Sequence, residues 1–300
     1  MCIRDRVGVG AAFLIEYLDD TIKTPEDVRQ ALGLAALGAI GRFSRKKGEA
    51  EEELIVAADP MSPVAEGFRK LRTNLWFTGV DRPLRTLLIT SPSPQEGKSV
   101  VTANLGVAMA QAGMRTVVVD ADLRRPRIHR LFGIHPRGGL TQSLLEGTTD
   151  GRLQSGEVEG LILLPAGEKP PNPTEMVASK RMRSLLDGLA QQADVVLIDS
   201  PPVLPVADAP VLAGEVDGVL LVIEVGRTRR EAARRAVESL QQVGANIVGV
   251  VLNGVPAKGR GYYYYYDYYY DHYYGGDREG RRKRRRRRSS SRRRSEEKEA

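Results

Sequence analysis

Cysteine is almost missing from this 300-residue chain: there is one, Cys2, at the extreme N-terminus. A single thiol excludes a disulfide framework and fits a reducing cytosol. Long apolar runs are missing as well. The longest uncharged apolar stretch near the N-terminus, residues 7–15 (VGVGAAFLI), has nine residues, where a bilayer-spanning helix needs about 20. No cleavage-like site separates it from the acidic residues that follow, which argues against a secretory signal. A basic surface is missing from most of the chain. The net charge of +7 is concentrated in residues 277–300, which hold 13 Lys/Arg against 5 Asp/Glu, while the other 276 residues hold 32 against 33. The globular part therefore lacks the electrostatic footprint of a specific nucleic-acid binder. No internal repeat of 20–50 residues is present.

Residues 1–18 read either as the remnant of a transmembrane helix or as a short buried helix. The run Glu16-Tyr17-Leu18-Asp19-Asp20 suits the water-facing end of a span, and residues 1–6 (MCIRDR) match neither reading and look non-native. Residues 19–60 read as a juxtamembrane linker, with a helix from Thr24-Pro25-Glu26-Asp27 to about Leu32. A globular domain is expected over 61–260. It opens on a helix from Ser62-Pro63 to about Phe77. Short aliphatic runs then recur at residues 86–90, 116–119, 161–164, 195–198, 219–225 and 247–252, with helical segments at 98–112, 174–191 and 229–243. This alternation predicts an α/β fold: a mostly parallel sheet with helices on both faces.

The strand at 86–90 runs into Ser91-Pro92-Ser93-Pro94-Gln95-Glu96-Gly97-Lys98-Ser99 and then a helix, the strand–loop–helix context of a phosphate-binding loop. Backbone N–H groups from Gln95 to Val100 and the helix N-terminus can cradle phosphate oxygens. Lys98 can reach the β- and γ-phosphates, and the Ser99 hydroxyl can ligate Mg²⁺. The strict pattern has Gly where this chain has Pro92. A second strand ends in Asp120-Ala121-Asp122, and a third ends in Asp199 before Ser200-Pro201-Pro202. Acids at i and i+2 beside such a loop repel one another, a conflict a divalent cation would relieve. Three Asp residues at the carboxyl ends of parallel strands lie where α/β sheets bind ligands. Asn253 either reads an adenine edge or forms an Asn-Gly turn. Asn172-Pro173-Thr174-Glu175 reads as a helix start.

Ten of the eleven tyrosines lie in residues 261–276: Tyr262, Tyr263, Tyr264, Tyr265, Tyr266, Tyr268, Tyr269, Tyr270, Tyr273 and Tyr274. The run has no period of 2 or 3.6 and no aliphatic partner, so it reads as an exposed substrate for phosphorylation. Residues 277–300 have the composition of a disordered Arg-rich tail, within reach of both the tyrosines and anionic lipid.

Together these elements resemble the bacterial protein-tyrosine kinases (BY-kinases) that regulate capsular and exopolysaccharide synthesis. Pro94–Ser99 resembles the family's Walker A, Asp120-Ala121-Asp122-Leu123-Arg124-Arg125-Pro126 its Walker A′, and Ile198-Asp199-Ser200-Pro201-Pro202 its Walker B, with Asp208-Ala209 downstream. Glu66, Arg69 and Arg72 match the family's E-x-x-R-x-x-R oligomerisation motif, and the tyrosine cluster matches its autophosphorylation site. Residues 13–42 resemble the end of a chain-length-determinant module. The resemblance implies a deviant P-loop fold of the ParA/MinD kind, Mg-ATP as donor, and the tyrosines of a neighbouring subunit in a ring as acceptor. It implies catalytic roles for Lys98, Asp120, Asp122 and Asp199, with Ser99, Asp122 and Asp199 on Mg²⁺ and Asp120 taking the phenol proton. It also implies a place on the cytoplasmic face of the inner membrane, beside a membrane module in cis, the polysaccharide polymerase and export machinery, and a tyrosine phosphatase. The alternative is a ParA/MinD-type partition or positioning ATPase, which leaves the tyrosines and the Glu66–Arg72 helix unexplained.

Overall fold

The computed structural model describes residues 19–43, 54–79, 83–136 and 138–256. The apolar run at 7–15, the tyrosine cluster and the Arg-rich tail lie outside the described residues. In chain order the elements are α1 (Pro25–Leu32), β1 (Ala36–Gly41), α2 (Ile55–Ala58), α3 (Pro63–Thr78), β2 (Thr86–Thr90), α4 (Lys98–Ala110), β3 (Thr116–Asp120), α5 (Ile128–Leu131) and α6 (Leu140–Glu146). There follow β4 (Gln154–Ser155), β5 (Leu161–Leu164), α7 (Pro173–Val177), α8 (Lys180–Gln192), β6 (Val195–Asp199), α9 (Asp208–Ala213), β7 (Gly218–Glu224), α10 (Arg230–Gln242) and β8 (Ile247–Val255).

The strands form one sheet in the order β1-β8-β7-β2-β6-β3-β5-β4. Every pairing is parallel except β4 with β5. The central strands TLLIT, TVVVD and VVLID are buried at every position, which is why their interiors are aliphatic on both faces rather than alternating. On one side Leu87, Ile89, Val118, Leu197 and Val251 share a core with Phe68 and Leu71 of α3 and Leu105 of α4. On the other side α8, α9 and α10 pack against β6, β2 and β8. The order β2-β6-β3 sets three strand ends side by side, and register places Asp120 opposite Asp199. The loops expected to handle phosphate are thus delivered to the carboxyl ends of adjacent central strands.

The helix starts follow their sequence signals. The Thr24 hydroxyl accepts from the Asp27 N–H at 3.1 Å while the Asp27 carboxylate accepts from the Thr24 N–H at 2.9 Å, a reciprocal cap on α1. The Ser62 hydroxyl accepts from the Ala65 N–H at 3.1 Å and caps α3.

Two expectations are corrected. Part of the segment expected as a juxtamembrane linker belongs to the sheet: β1 pairs with β8 as the edge strand, and α3 packs across it. Its sequence, ALGAIG, carries no β-branched run beyond Ile40, and the reason is close packing. A Cβ on Gly38 would lie 3.1 Å from the Leu71 side chain, and one on Gly67 of α3 would lie 3.1 Å from the Ala39 carbonyl. Glycines on both elements let helix and strand backbones approach. The helix expected over 174–191 is two helices, because the Ser179 hydroxyl restarts the chain by accepting from the Met182 N–H. Among the described residues no helix is long and apolar enough to cross a membrane.

Candidate active site

The phosphate-binding loop lies between β2 and α4. Gly97 is the N-cap of α4, in the left-handed region at φ 86°, and no side chain caps the helix. A Cβ there would collide with the Asn253 amide, so both the conformation and the space require glycine. Gln95 is also left-handed, at φ 66°, rare for a non-glycine residue. The strain is held in place from outside. Arg227 donates to the Gln95 carbonyl at 3.0 Å and to its side-chain oxygen at 3.2 Å, and the Asn253 amide donates to the Glu96 carbonyl at 3.0 Å. As placed, Asn253 steadies the loop rather than facing outward to a base. The Val100 side chain packs against the core, so its backbone is what it can offer a phosphate.

Lys98, Ser99, Asp122 and Asp199 form one buried cluster. The Lys98 ammonium lies 2.8 Å from Asp122 and 3.4 Å from Asp199. The Ser99 hydroxyl donates to the second Asp199 oxygen at 2.6 Å. Burial is the largest influence on Lys98 and disfavours its charge, but Asp199 and Asp122 outweigh it and hold its pKa above the usual lysine value. Burial pushes the Asp199 carboxyl up. With both acids ionised the cluster carries more negative than positive charge, so it favours any further cation that enters.

Asp120 is fully buried. One of its oxygens accepts from the Arg127 and Ile128 N–H groups, both at 3.0 Å, and the other from the Asp122 N–H at 3.3 Å. Burial, then the charge of Asp199, pushes its carboxyl up to about 8. That strength suits a proton acceptor near neutral pH. Its oxygens are turned into the loop after β3, and acting on a substrate would require the turn at Arg127–Ile128 to yield.

Two features have no clear signal in the local sequence pattern. Arg124 donates to both Asp208 oxygens, at 2.8 and 3.1 Å, and to the Thr174 hydroxyl at 2.9 Å, which itself donates to Asp208 at 2.5 Å. This triad ties the loop after β3 to α7 and α9. Burial raises the Asp208 carboxyl, but the hydrogen bonds from Arg124 and Thr174 outweigh it and leave its pKa lowered. Thr174 opens α7 as a helix-start residue does, yet its hydroxyl also serves the site. The second feature is the Glu96 side chain, buried and bonded to Thr228 of the β7–α10 loop.

The α3 residues expected at a subunit contact make bonds within the chain. Arg69 pairs with Glu66 at 2.8 Å and donates to the Pro60 carbonyl at 2.7 Å, while Arg72 donates to the Ala108 carbonyl at 2.8 Å. Trp76, one turn further on, is 66% exposed.

Among the described residues no group of three or more His, Cys, Asp or Glu is arranged to hold a metal. The donor set fits Mg²⁺ nonetheless. Mg²⁺ at a phosphate site takes one or two protein oxygens and completes its shell with phosphate and water. Ser99 and Asp199 already share a hydrogen bond, and the Lys98 ammonium stands between the two carboxylates.

Residues 85–257 match a family model described as ParA: NUBPL iron-transfer P-loop NTPase. The tyrosine-protein kinase YwqD of Bacillus subtilis is 38% identical over 205 residues, 68% of this chain and 86% of YwqD. EpsB of Ralstonia solanacearum is 34% identical over 259 residues, which is 82% of this chain but 34% of EpsB. The kinase domain of Escherichia coli tyrosine kinase ETK superposes with a TM-score of 0.74 at 29% identity, covering 79% of this chain and 96% of that domain.

Proposed function

The chain belongs to the bacterial tyrosine-protein kinase family, on a P-loop NTPase fold, and from that premise we propose that it transfers the γ-phosphoryl group of Mg-ATP to tyrosines of its own C-terminal cluster. The observation that carries this reading is the convergence of Lys98, Ser99, Asp122 and Asp199 within hydrogen-bonding distance at the mouth of the phosphate-binding loop. A chain with that site also carries ten clustered phenols.

In the proposed reaction the phenol oxygen of a tyrosine in Tyr262–Tyr274 attacks the γ-phosphorus. The bond between that phosphorus and the β–γ bridging oxygen breaks, and ADP leaves. Phosphoryl transfer of this kind is catalysed mainly by positioning and charge stabilisation. The backbone from Gln95 to Val100 holds the phosphates. Lys98 swings from Asp122 to the transferring group and neutralises its equatorial oxygens. Ser99, Asp122 and Asp199 would hold Mg²⁺, which would supply positive charge to offset that of the phosphates. Asp120 is matched in strength to receive the phenol proton once the Arg127–Ile128 turn opens.

The acceptor is read as the tyrosine cluster of a neighbouring copy, in a ring joined through Glu66, Arg69 and Arg72. The setting is read as the cytoplasmic face of the inner membrane, next to a chain-length-determinant module, the polysaccharide polymerase and export machinery, and an opposing phosphatase. Anionic lipid is a further partner for the Arg-rich tail. A mixing experiment tests the core of this. A Lys98→Met chain that keeps its tyrosines is incubated with Mg-ATP and an intact chain ending at residue 260. Phosphotyrosine on the Lys98→Met chain supports transfer between copies, and its absence opposes it.

A further inference from the structure

A glutamate inside a phosphate-binding loop is electrostatically awkward. An ionised carboxylate beside a polyphosphate repels it, and the loop's purpose is to present N–H groups. Glu96 is nevertheless 2% exposed. Its carboxyl group is engaged at both oxygens: one accepts from the Ser93 N–H at 2.8 Å, the other from the Thr228 hydroxyl at 2.6 Å. Thr228 is itself fixed. Its hydroxyl accepts from the Glu224 N–H at 3.1 Å, and its carbonyl accepts from the Ile22 N–H at 2.9 Å. The hydroxyl therefore relays the end of β7 to the loop between β2 and α4. Across the same gap Arg227 holds the left-handed Gln95.

Resting on the nucleotide reading above, we propose that Thr228 is a positioning residue for nucleotide, acting through Glu96 to hold the Ser93–Gly97 loop in its phosphate-binding shape. The hydroxyl is taken up by the Glu96 carboxyl and the Glu224 N–H. It orients a carboxyl group that closes the Ser93–Glu96 turn, and that turn sets the direction of the N–H groups which follow. Burial pushes Glu96 up to about 7, with the hydrogen bonds from Thr228 and Ser93 opposing and Glu224 adding slightly to the rise. Near neutral pH this rise lowers the average negative charge that the carboxyl group presents to the phosphates. Glu224, whose charge adds to that rise, is itself paired with Arg227 at 2.9 Å.

A loop that is not preorganised must be ordered by its ligand, so losing the relay weakens nucleotide binding more than it slows transfer. The test uses the full chain and three proteins: wild type, Thr228→Val, which keeps the shape without the hydroxyl, and Thr228→Ser, which keeps the hydroxyl. Calorimetry with the non-hydrolysable analogue Mg-AMPPNP gives Kd, and a tyrosine peptide assay gives KM for ATP and kcat. The expected result is a Kd and KM raised about tenfold in Thr228→Val, equivalent to about 1.4 kcal/mol. The drop in kcat should be smaller than the rise in KM, and Thr228→Ser should lie within about twofold of wild type. Equal affinity in all three proteins overturns the proposal. So does an equal loss in Val and Ser, or a loss confined to kcat. If Thr228→Val does not fold, a Thr228→Ser protein with tenfold weaker binding contradicts it by itself. Failure of wild type to bind Mg-AMPPNP defeats the nucleotide reading instead, which keeps the two failures distinct.

Discussion

Asp120 and Asp199 face each other across adjacent parallel strands, paired in register and both without exposed surface. Two buried acids so placed cannot both ionise without cost, and the pKa of each is raised. Asp120→Asn mimics the protonated form of a residue whose pKa stands at about 8. The variant should unfold within about 1 kcal/mol of wild type at pH 7. If Asp120 accepts the phenol proton, phosphotyrosine formation should fall by roughly 10²–10⁴. Thermal denaturation and an initial-rate assay check both. Near-normal rates in Asp120→Asn would assign the residue to loop shape alone.

Lys98→Met has a second effect besides loss of activity. It leaves the buried carboxylates of Asp122 and Asp199 without their internal cation. Removing one partner of a buried pair costs about 3–5 kcal/mol. The melting temperature should therefore drop, and millimolar Mg²⁺ should restore part of it in Lys98→Met while moving wild type less. Asp122→Asn should abolish phosphotyrosine without this loss of stability. A Lys98→Met protein as stable as wild type at low Mg²⁺ would mean that the acids carry no excess charge.

Glu96 gives a pH dependence of stability. Its folded pKa is about 7 against an ordinary value of 4.5. Across that window the folded chain binds more protons than the unfolded one, so stability falls as pH rises from about 4.5 to 7 and levels off above. The scale is roughly 3 kcal/mol. Asp120 and Asp199 slope the same way, so Glu96→Gln should flatten the curve without removing it. Urea unfolding at pH 5 and pH 7.5 measures this, and an unchanged difference in Glu96→Gln would contradict it.

The strands were legible because buried parallel strands are largely aliphatic, and six of the eight among the described residues follow the runs read from sequence. β1 was not, because its glycines answer to α3 packing rather than to strand propensity. The short helices α5, α6 and α9 were missed for the related reason that tertiary contacts hold them. The acids at the strand ends were legible in the same way, since a strand end fixes where its next residue goes. The partners of Arg124 and Glu96 were not: Asp208 lies 84 residues from Arg124, and Thr228 lies 132 from Glu96. Only the sheet order brings them together.

Arg72 is tied to α4, and Glu66 and Arg69 are tied to each other, so the three do not contribute alike to a subunit contact. Glu66→Ala, Arg69→Ala and Arg72→Ala combined should yield monomers by analytical ultracentrifugation, with autophosphorylation that no longer rises with protein concentration. Of the single changes, Arg72→Ala should lower the melting temperature most, because its bond to the Ala108 carbonyl is lost. A triple variant that sediments like wild type would remove this helix face from the oligomer.

In the proposed function the cluster at Lys98 spends ATP on tyrosine rather than on water. Purified chain incubated with Mg-ATP, with ADP release and phosphotyrosine followed together and the modified residues mapped by mass spectrometry, measures that directly. The expected result is phosphate on residues between Tyr262 and Tyr274 and early ADP release matched by phosphotyrosine. Steady ATP hydrolysis with no phosphotyrosine would contradict it and leave a nucleotide switch of the ParA/MinD kind.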